Sequence, residues 1–149
     1  MECKLTPPRQ PAREDRENRI SDQADTLEFR HMGYGLRARF WPAAWPHARA
    51  SVLIAHGMGE HSGRYQSLAW ILNNAGYNVL APDLRGHGLS RPEYCAPGDM
   101  GYDGWQCSLL DLRFLQEWLT KNYTDPIILI GHSMGAMLAQ QYLGYFGHT

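Results

Sequence analysis

Gly131-His132-Ser133-Met134-Gly135 stands between an apolar run, Ile127-Ile128-Leu129-Ile130, and a helix-like stretch from Ala136 to Tyr145. A serine flanked at two residues on each side by glycine, between a strand and a helix, has the pattern of a nucleophile elbow. A hydroxyl that attacks a carbonyl must project from a tight turn held in a sparsely populated backbone conformation. Glycines at the flanks remove the side chains that would clash where strand and helix approach. Met134 would then direct its backbone N–H at the reacting carbonyl from a helix N-terminus. The competing reading is a Gly-rich turn with an incidental serine, since the pentapeptide alone arises often by chance. The flanking elements favour Ser133 as the nucleophile.

Acyl transfer needs a second donor for the oxyanion, and the place for it is the loop after the third strand. That loop is His56-Gly57-Met58-Gly59, so the Met58 N–H is the candidate. A preorganised donor of this kind is worth about 3–4 kcal/mol of barrier. The alternative is that these glycines only shape the turn at the strand's end.

The elements that would position these groups alternate. Leu27, Phe29 and His31 alternate with Glu28 and Arg30, and Leu36, Ala38 and Phe40 with Arg37 and Arg39, about Gly33-Tyr34-Gly35. Period two on both sides of a Gly-containing turn predicts a β-hairpin. Ala50 to Ala55 is continuously apolar but for Ser51, as in a strand covered on both faces. A helix carrying Tyr65, Leu68, Ala69 and Leu72 follows and stops at Gly76, before the strand Tyr77–Ala81 and a turn-rich stretch, Pro82 to Gly88. Asp103 and Gln106 approximate a capping box ahead of a helix from about Trp105 to Asn122. Its apolar face is Leu109, Leu112, Leu115, Trp118 and Leu119, with Glu117 and Lys121 as an i,i+4 pair. Strands alternating with helices predict a mostly parallel α/β sheet, here with an antiparallel N-terminal hairpin.

Composition narrows the function. Fourteen basic residues against fifteen acidic ones give no electrostatic case for nucleic acid. Cys3, Cys95 and Cys107 are odd in number and lack C-x-x-C spacing, so they read as free thiols in a reducing compartment. No secretory signal and no span of about 18 apolar residues is present, and the expectation is a soluble cytoplasmic protein. Residues 1–24 are expected to be a disordered, charged leader, and residues 25–149 the folded part. His56, His61 and His87 have no carboxylate or cysteine at ligand spacing, so neither a metal nor a cofactor is expected. No G-x-G-x-x-G follows a strand, which argues against a dinucleotide site.

Three blocks carry a resemblance: His56-Gly57-Met58-Gly59-Glu60-His61-Ser62-Gly63-Arg64-Tyr65, Asp83-Leu84-Arg85-Gly86-His87-Gly88-Leu89-Ser90, and Gly131 to Gly135. Together they resemble the monoacylglycerol lipase and lysophospholipase family of α/β hydrolases, from about residue 25 onward. Proline iminopeptidase-like enzymes are more distant relatives that share the second block. The resemblance implies an α/β-hydrolase fold, Ser133 as nucleophile and the Met58 and Met134 N–H groups as oxyanion hole. Gly57, Gly131 and Gly135 shape the loop and elbow. It implies a small acyl ester as substrate, with membrane contact through a lid that lies outside these residues. A peptidase or another carboxylesterase is the runner-up within the fold. The second block reads as structural, with Asp83 and Arg85 pairing across its turn.

One departure stands out. In this fold an acid and then a histidine follow the serine, yet no acidic residue follows Ser133, and the only later histidine is His148. Fifteen helical residues would place His148 roughly 22 Å from the serine. An upstream histidine paired with Asp83 or Asp99 is the alternative triad. The simpler expectation is an incomplete hydrolase domain ending after the elbow helix, without lid, triad acid or triad histidine. Such a chain would be nearly inactive and would expose the elbow strand's edge. A non-catalytic product that binds a partner through that edge is the reading from a different class.

Overall fold

The computed structural model describes residues 24–44 and 47–147. Cys3, His148 and the leader before residue 24 lie outside the described residues. Strand β1 (Asp25–His31) pairs antiparallel with β2 (Tyr34–Trp41), Phe29 opposite Leu36 and Leu27 opposite Ala38. The two turn residues are Met32 and Gly33, with φ of 50° and 77°. Positive φ at both central positions is the type I′ pattern, whose twist matches that of the strands. The turn therefore sits one residue earlier than the Gly-Tyr-Gly signal suggested.

Strand β3 (Ala50–Ala55) leads through a 3₁₀ turn, Ser62–Tyr65, into helix α1 (Gln66–Asn74). Strand β4 (Tyr77–Pro82), helix α2 (Gly104–Asn122), strand β5 (Ile127–Gly131) and helix α3 (Met134–Phe146) follow. The sheet order is β1-β2-β4-β3-β5, with β3 parallel to both β4 and β5 and β2 antiparallel to β4. The expected α/β class and antiparallel hairpin are present, and the sheet is mixed, with two parallel and two antiparallel ladders.

Alternation along the strands divides the core into two layers. On one face Phe29, Leu36, Phe40, Leu53 and Leu80 pack against Leu109, Leu112, Leu115 and Leu119 of α2 and Leu138 of α3. Burying each such leucine contributes about 1.5–3 kcal/mol. On the other face Trp41, Val52, Ile54 and Val79 receive Ala69 of α1, with Leu72 and Ile130 at the margin. Leu68 of α1, placed on the inner side by its periodicity, is exposed.

Two local expectations for α2 are corrected. Asp103 stands at the N-cap, but its side chain makes no cap bond; its carbonyl takes the Cys107 N–H at 2.8 Å. Glu117 pairs with Arg113, one turn before it, at 3.0 Å rather than with Lys121. Strand β5 forms one edge of the sheet, and Ile128 keeps 41% of its surface exposed.

Candidate active site

Three loops leave the C-terminal ends of β3, β4 and β5, and they are the three sequence blocks. The elbow is the most constrained. Ser133 has φ 51° and ψ −117°, a conformation that L residues adopt only under strain. It caps α3 without a side-chain cap bond, so its hydroxyl is not committed to the helix end, and the residue is exposed. Met134 opens α3 and its side chain is buried, while its amide belongs to the first turn, where no intrahelical acceptor exists.

Both elbow glycines are required by contact. A Cβ on Gly131 would lie 2.6 Å from Ala136 Cα, and one on Gly135 2.5 Å from the Ala55 carbonyl carbon. The first lets the helix fold back over the strand, and the second lets α3 lie against the end of β3. The His132 N–H reaches the Ala55 carbonyl at 3.0 Å and carries the β3–β5 ladder past the strand's end.

The β3 loop meets the elbow at Gly57. A Cβ there would stand 3.3 Å from Ser133 Cβ and 3.1 Å from both His132 Nδ1 and Glu60 Oε2. Met58, one residue on, is exposed and is followed by Gly59 at φ 71°. Glu60, which had no assigned role in the sequence, is the hub of this corner. Its Oε2 accepts from the Gly57 N–H (2.9 Å), the Tyr65 O–H (2.8 Å) and His132 Nδ1–H (3.2 Å). The Gly57 bond, followed by those of Tyr65 and His132, holds its carboxyl down at about 2. Tyr65 is pushed up to about 12 by burial and by the same carboxylate.

His56 and His87 are bonded to the loop backbone, although His87 Nε2 is buried without a partner among the described residues. The His56 imidazole is buried; Nδ1–H donates to the Gly57 carbonyl (2.8 Å), and Nε2 accepts from the Leu84 N–H (2.9 Å). Those partners fix one neutral tautomer. Burial, then the neighbouring His87, pushes its pKa down. His87 Nδ1–H donates to the Arg85 carbonyl at 2.8 Å.

The β4 loop supports the others, but not by the expected pairing. Asp83 does not bond Arg85; its two oxygens accept from the Ser62 N–H (2.6 Å) and the Leu89 N–H (2.7 Å). Arg85 instead reaches Asp111 on α2 in a two-point bond, 2.6 and 3.0 Å, with His31 Nδ1 2.7 Å from the same carboxylate. The Asp99 carboxylate accepts from the nearby Gly101 N–H, at 3.0 Å. Among the described residues neither proposed acid is bonded to a histidine. Among the described residues no group of three His, Cys, Asp or Glu side chains stands together to hold a metal, and no helix is long and apolar enough to cross a membrane. Cys95 and Cys107 are free thiols.

The chain that carries this strained serine between β5 and α3 has clear relatives. Residues 46–147 match the Hydrolase_4 family, described as serine aminopeptidase, S33. The chain is a monoglyceride lipase-like α/β hydrolase of that family. Mouse monoglyceride lipase is 37% identical over 109 residues, covering 72% of this chain and 34% of the relative. A thermostable carboxyl esterase from Bacillus coagulans superposes with TM-score 0.75 at 30% identity, over 84% of this hydrolase and 41% of that chain. A soluble variant of Saccharomyces cerevisiae monoglyceride lipase, solved with a substrate analog, gives 0.72 at 26% identity, over 85% and 41%. This monoglyceride lipase-like hydrolase thus spans about a third of the length of the curated relatives it matches.

Proposed function

We propose that Ser133 is the nucleophile of a serine esterase acting on a monoacyl lipid ester. The observation that carries this reading is the strained φ of 51° at Ser133, held by glycines whose replacement would collide with backbone. Ser133 Oγ would attack the ester carbonyl, and the Met58 and Met134 N–H groups would receive the charge that develops on its oxygen. Collapse would release the alcohol and leave an acyl-serine, which water would then hydrolyse to the fatty acid. Monoglyceride lipases among the relatives support the lipid ester as substrate. The family's description as a serine aminopeptidase supports an amide substrate as the second reading.

A general base for the serine is the missing part. His56 has both nitrogens occupied, no hydrogen bond among the described residues joins the Nε2 of His87 or His132 to Ser133, and no acid follows Ser133 in the sequence. Without a base, a seryl hydroxyl is a poor nucleophile at neutral pH. These 149 residues are therefore proposed to turn over ester only slowly. An alkyl fluorophosphonate tests the nucleophile directly. Slow covalent labelling that Ser133→Ala abolishes is the expected result. Labelling that survives Ser133→Ala, or a version completed with the relatives' remaining two thirds that takes no label, overturns the reading.

A further inference from the structure

We propose that Glu60 is a positioning residue that fixes the oxyanion loop against the nucleophile elbow; this deepens the reading of Ser133 as nucleophile and rests on it. A single oxygen, Oε2, receives donors from three separate pieces of chain. Gly57 N–H comes from the loop, Tyr65 O–H from the 3₁₀ turn, and His132 Nδ1–H from the residue before the serine. The Glu60 N–H returns to the Gly57 carbonyl at 3.2 Å, so the Gly57–Glu60 turn is closed in both directions. Gly57 is the point around which carboxylate, imidazole and Ser133 Cβ converge, all within 3.3 Å of where its missing Cβ would be.

The charge is what makes this a clamp. An ionised carboxylate accepts only, so it can satisfy three donors at once. Bonds to an ionised acceptor are roughly twice as strong as neutral ones. A glutamine can place its one oxygen where Oε2 stands, but that oxygen is uncharged, and its donor NH₂ replaces Oε1, which faces the Arg64 guanidinium at 3.9 Å. Glu60 is not a substitute base, because a carboxyl held at about 2 is too weak a base to take a seryl proton. Its influence on the serine runs through the loop, by holding the Met58 amide one residue beyond a pinned Gly57. Nothing in the sequence spacing marks this role. It becomes visible only when β3 and β5 bring loop and elbow together.

The test uses the 149-residue chain with Glu60→Gln and, as an exposed and more permissive site, His132→Ala. Gly57 amide exchange is read by NMR and Ser133 labelling by an alkyl fluorophosphonate. In Glu60→Gln, Gly57 exchange rises by about ten- to a hundredfold, as expected for loss of a charged hydrogen bond, while β3 amides keep their protection. Labelling slows by about tenfold, and His132→Ala moves both readouts in the same direction by less. Wild-type exchange and labelling rates in both variants overturn the proposal. If the wild-type chain takes no label, the nucleophile reading loses its support, and Gly57 exchange alone decides the clamp. A rise then sustains it, and no rise refutes it.

Discussion

Removing the Asp111 carboxylate should be among the most damaging single changes that touch none of the candidate catalytic groups. Asp111 on α2 and Arg85 in the β4 loop have side chains only 3% and 8% exposed, and they are joined by bonds of 2.6 and 3.0 Å. The guanidinium carbon lies 4.4 Å from the Tyr34 ring centre, so Asp111→Ala strands a cation between an aromatic face and an emptied acid site. His31 loses its 2.7 Å partner in the same step. Breaking one side of a buried pair costs about 3–5 kcal/mol, because the remaining charge stays desolvated. The roughly 120 described residues would unfold with an entropy near 0.25 kcal/mol/K. The melting temperature should therefore fall by about 12–20 °C, read by circular dichroism with a urea titration for the free energy. The double variant Arg85→Met/Asp111→Leu removes both charges and should recover most of the loss. A drop below about 1 kcal/mol in Asp111→Ala would refute the reasoning, as would a double variant weaker than the single.

Three further outcomes follow from the same structure. Ser133→Gly relieves a φ of 51° and ψ of −117° and should raise stability by about 1 kcal/mol or more, at the cost of all Ser133 labelling; a lowered melting temperature would mean that no strain is stored there. His56 has its pKa pushed below 6.5, so the unfolded chain binds the proton more readily than the folded one. That contribution to stability is complete above about pH 6.5 and is lost as pH falls toward the depressed folded value. Urea midpoints on both sides of pH 6.5 should show a slope that flattens in His56→Asn, and an unchanged slope would count against it. Strand β5 is an edge strand with Ile128 41% exposed, and Met137 of the adjoining α3 is 61% exposed. Ile128→Lys should reduce concentration-dependent association in sedimentation experiments; equal association by the variant would place the contact elsewhere.

The alternating patterns that defined the strands and α2 were legible because burial on one or two faces writes itself into periodicity. The elbow was legible for a different reason: Gly131 answers to Gly135 and Ala136 within five residues, although Gly135 answers to Ala55 at the end of β3, 80 residues earlier. Tertiary partnership was not. Arg85 looked like the partner of Asp83, two residues away, but the structure gives it Asp111, 26 residues on, across the packing of α2 against the sheet. Asp83 is freed to take two backbone N–H groups, one of them from Ser62 in the β3 loop. Glu60 was read only as part of a block, because its donors come from His132, 72 residues later, as well as from its own turn. The Asp103 capping box failed because matching residue types do not guarantee the N-cap geometry, and here Asp103 has φ −101° and ψ 24°.

The sheet order explains why the three blocks meet where they do. From β3 the chain passes through α1 to β4 on one side, and from β4 it passes through α2 to β5 on the other side of β3. The two crossovers lie on opposite faces, α1 over Val52 and Ile54 and α2 over Leu53 and Leu80. The strand order therefore reverses between β3 and β5, and in open α/β sheets a crevice forms at the carboxyl ends of the strands at that point. Gly57 leaves β3 and Ser133 leaves β5 at that position, 3.3 Å from a Gly57 Cβ to the Ser133 Cβ. The β4 loop leaves the neighbouring strand and serves as a buttress. Leu84 holds His56 under the β3 loop, and Asp83 holds Ser62 at the loop's far end. The division of labour between a reacting pair of loops and a supporting third is thus a consequence of topology. A variant of the β4 loop such as Asp83→Asn should accordingly alter stability and loop order before it alters any chemistry at Ser133.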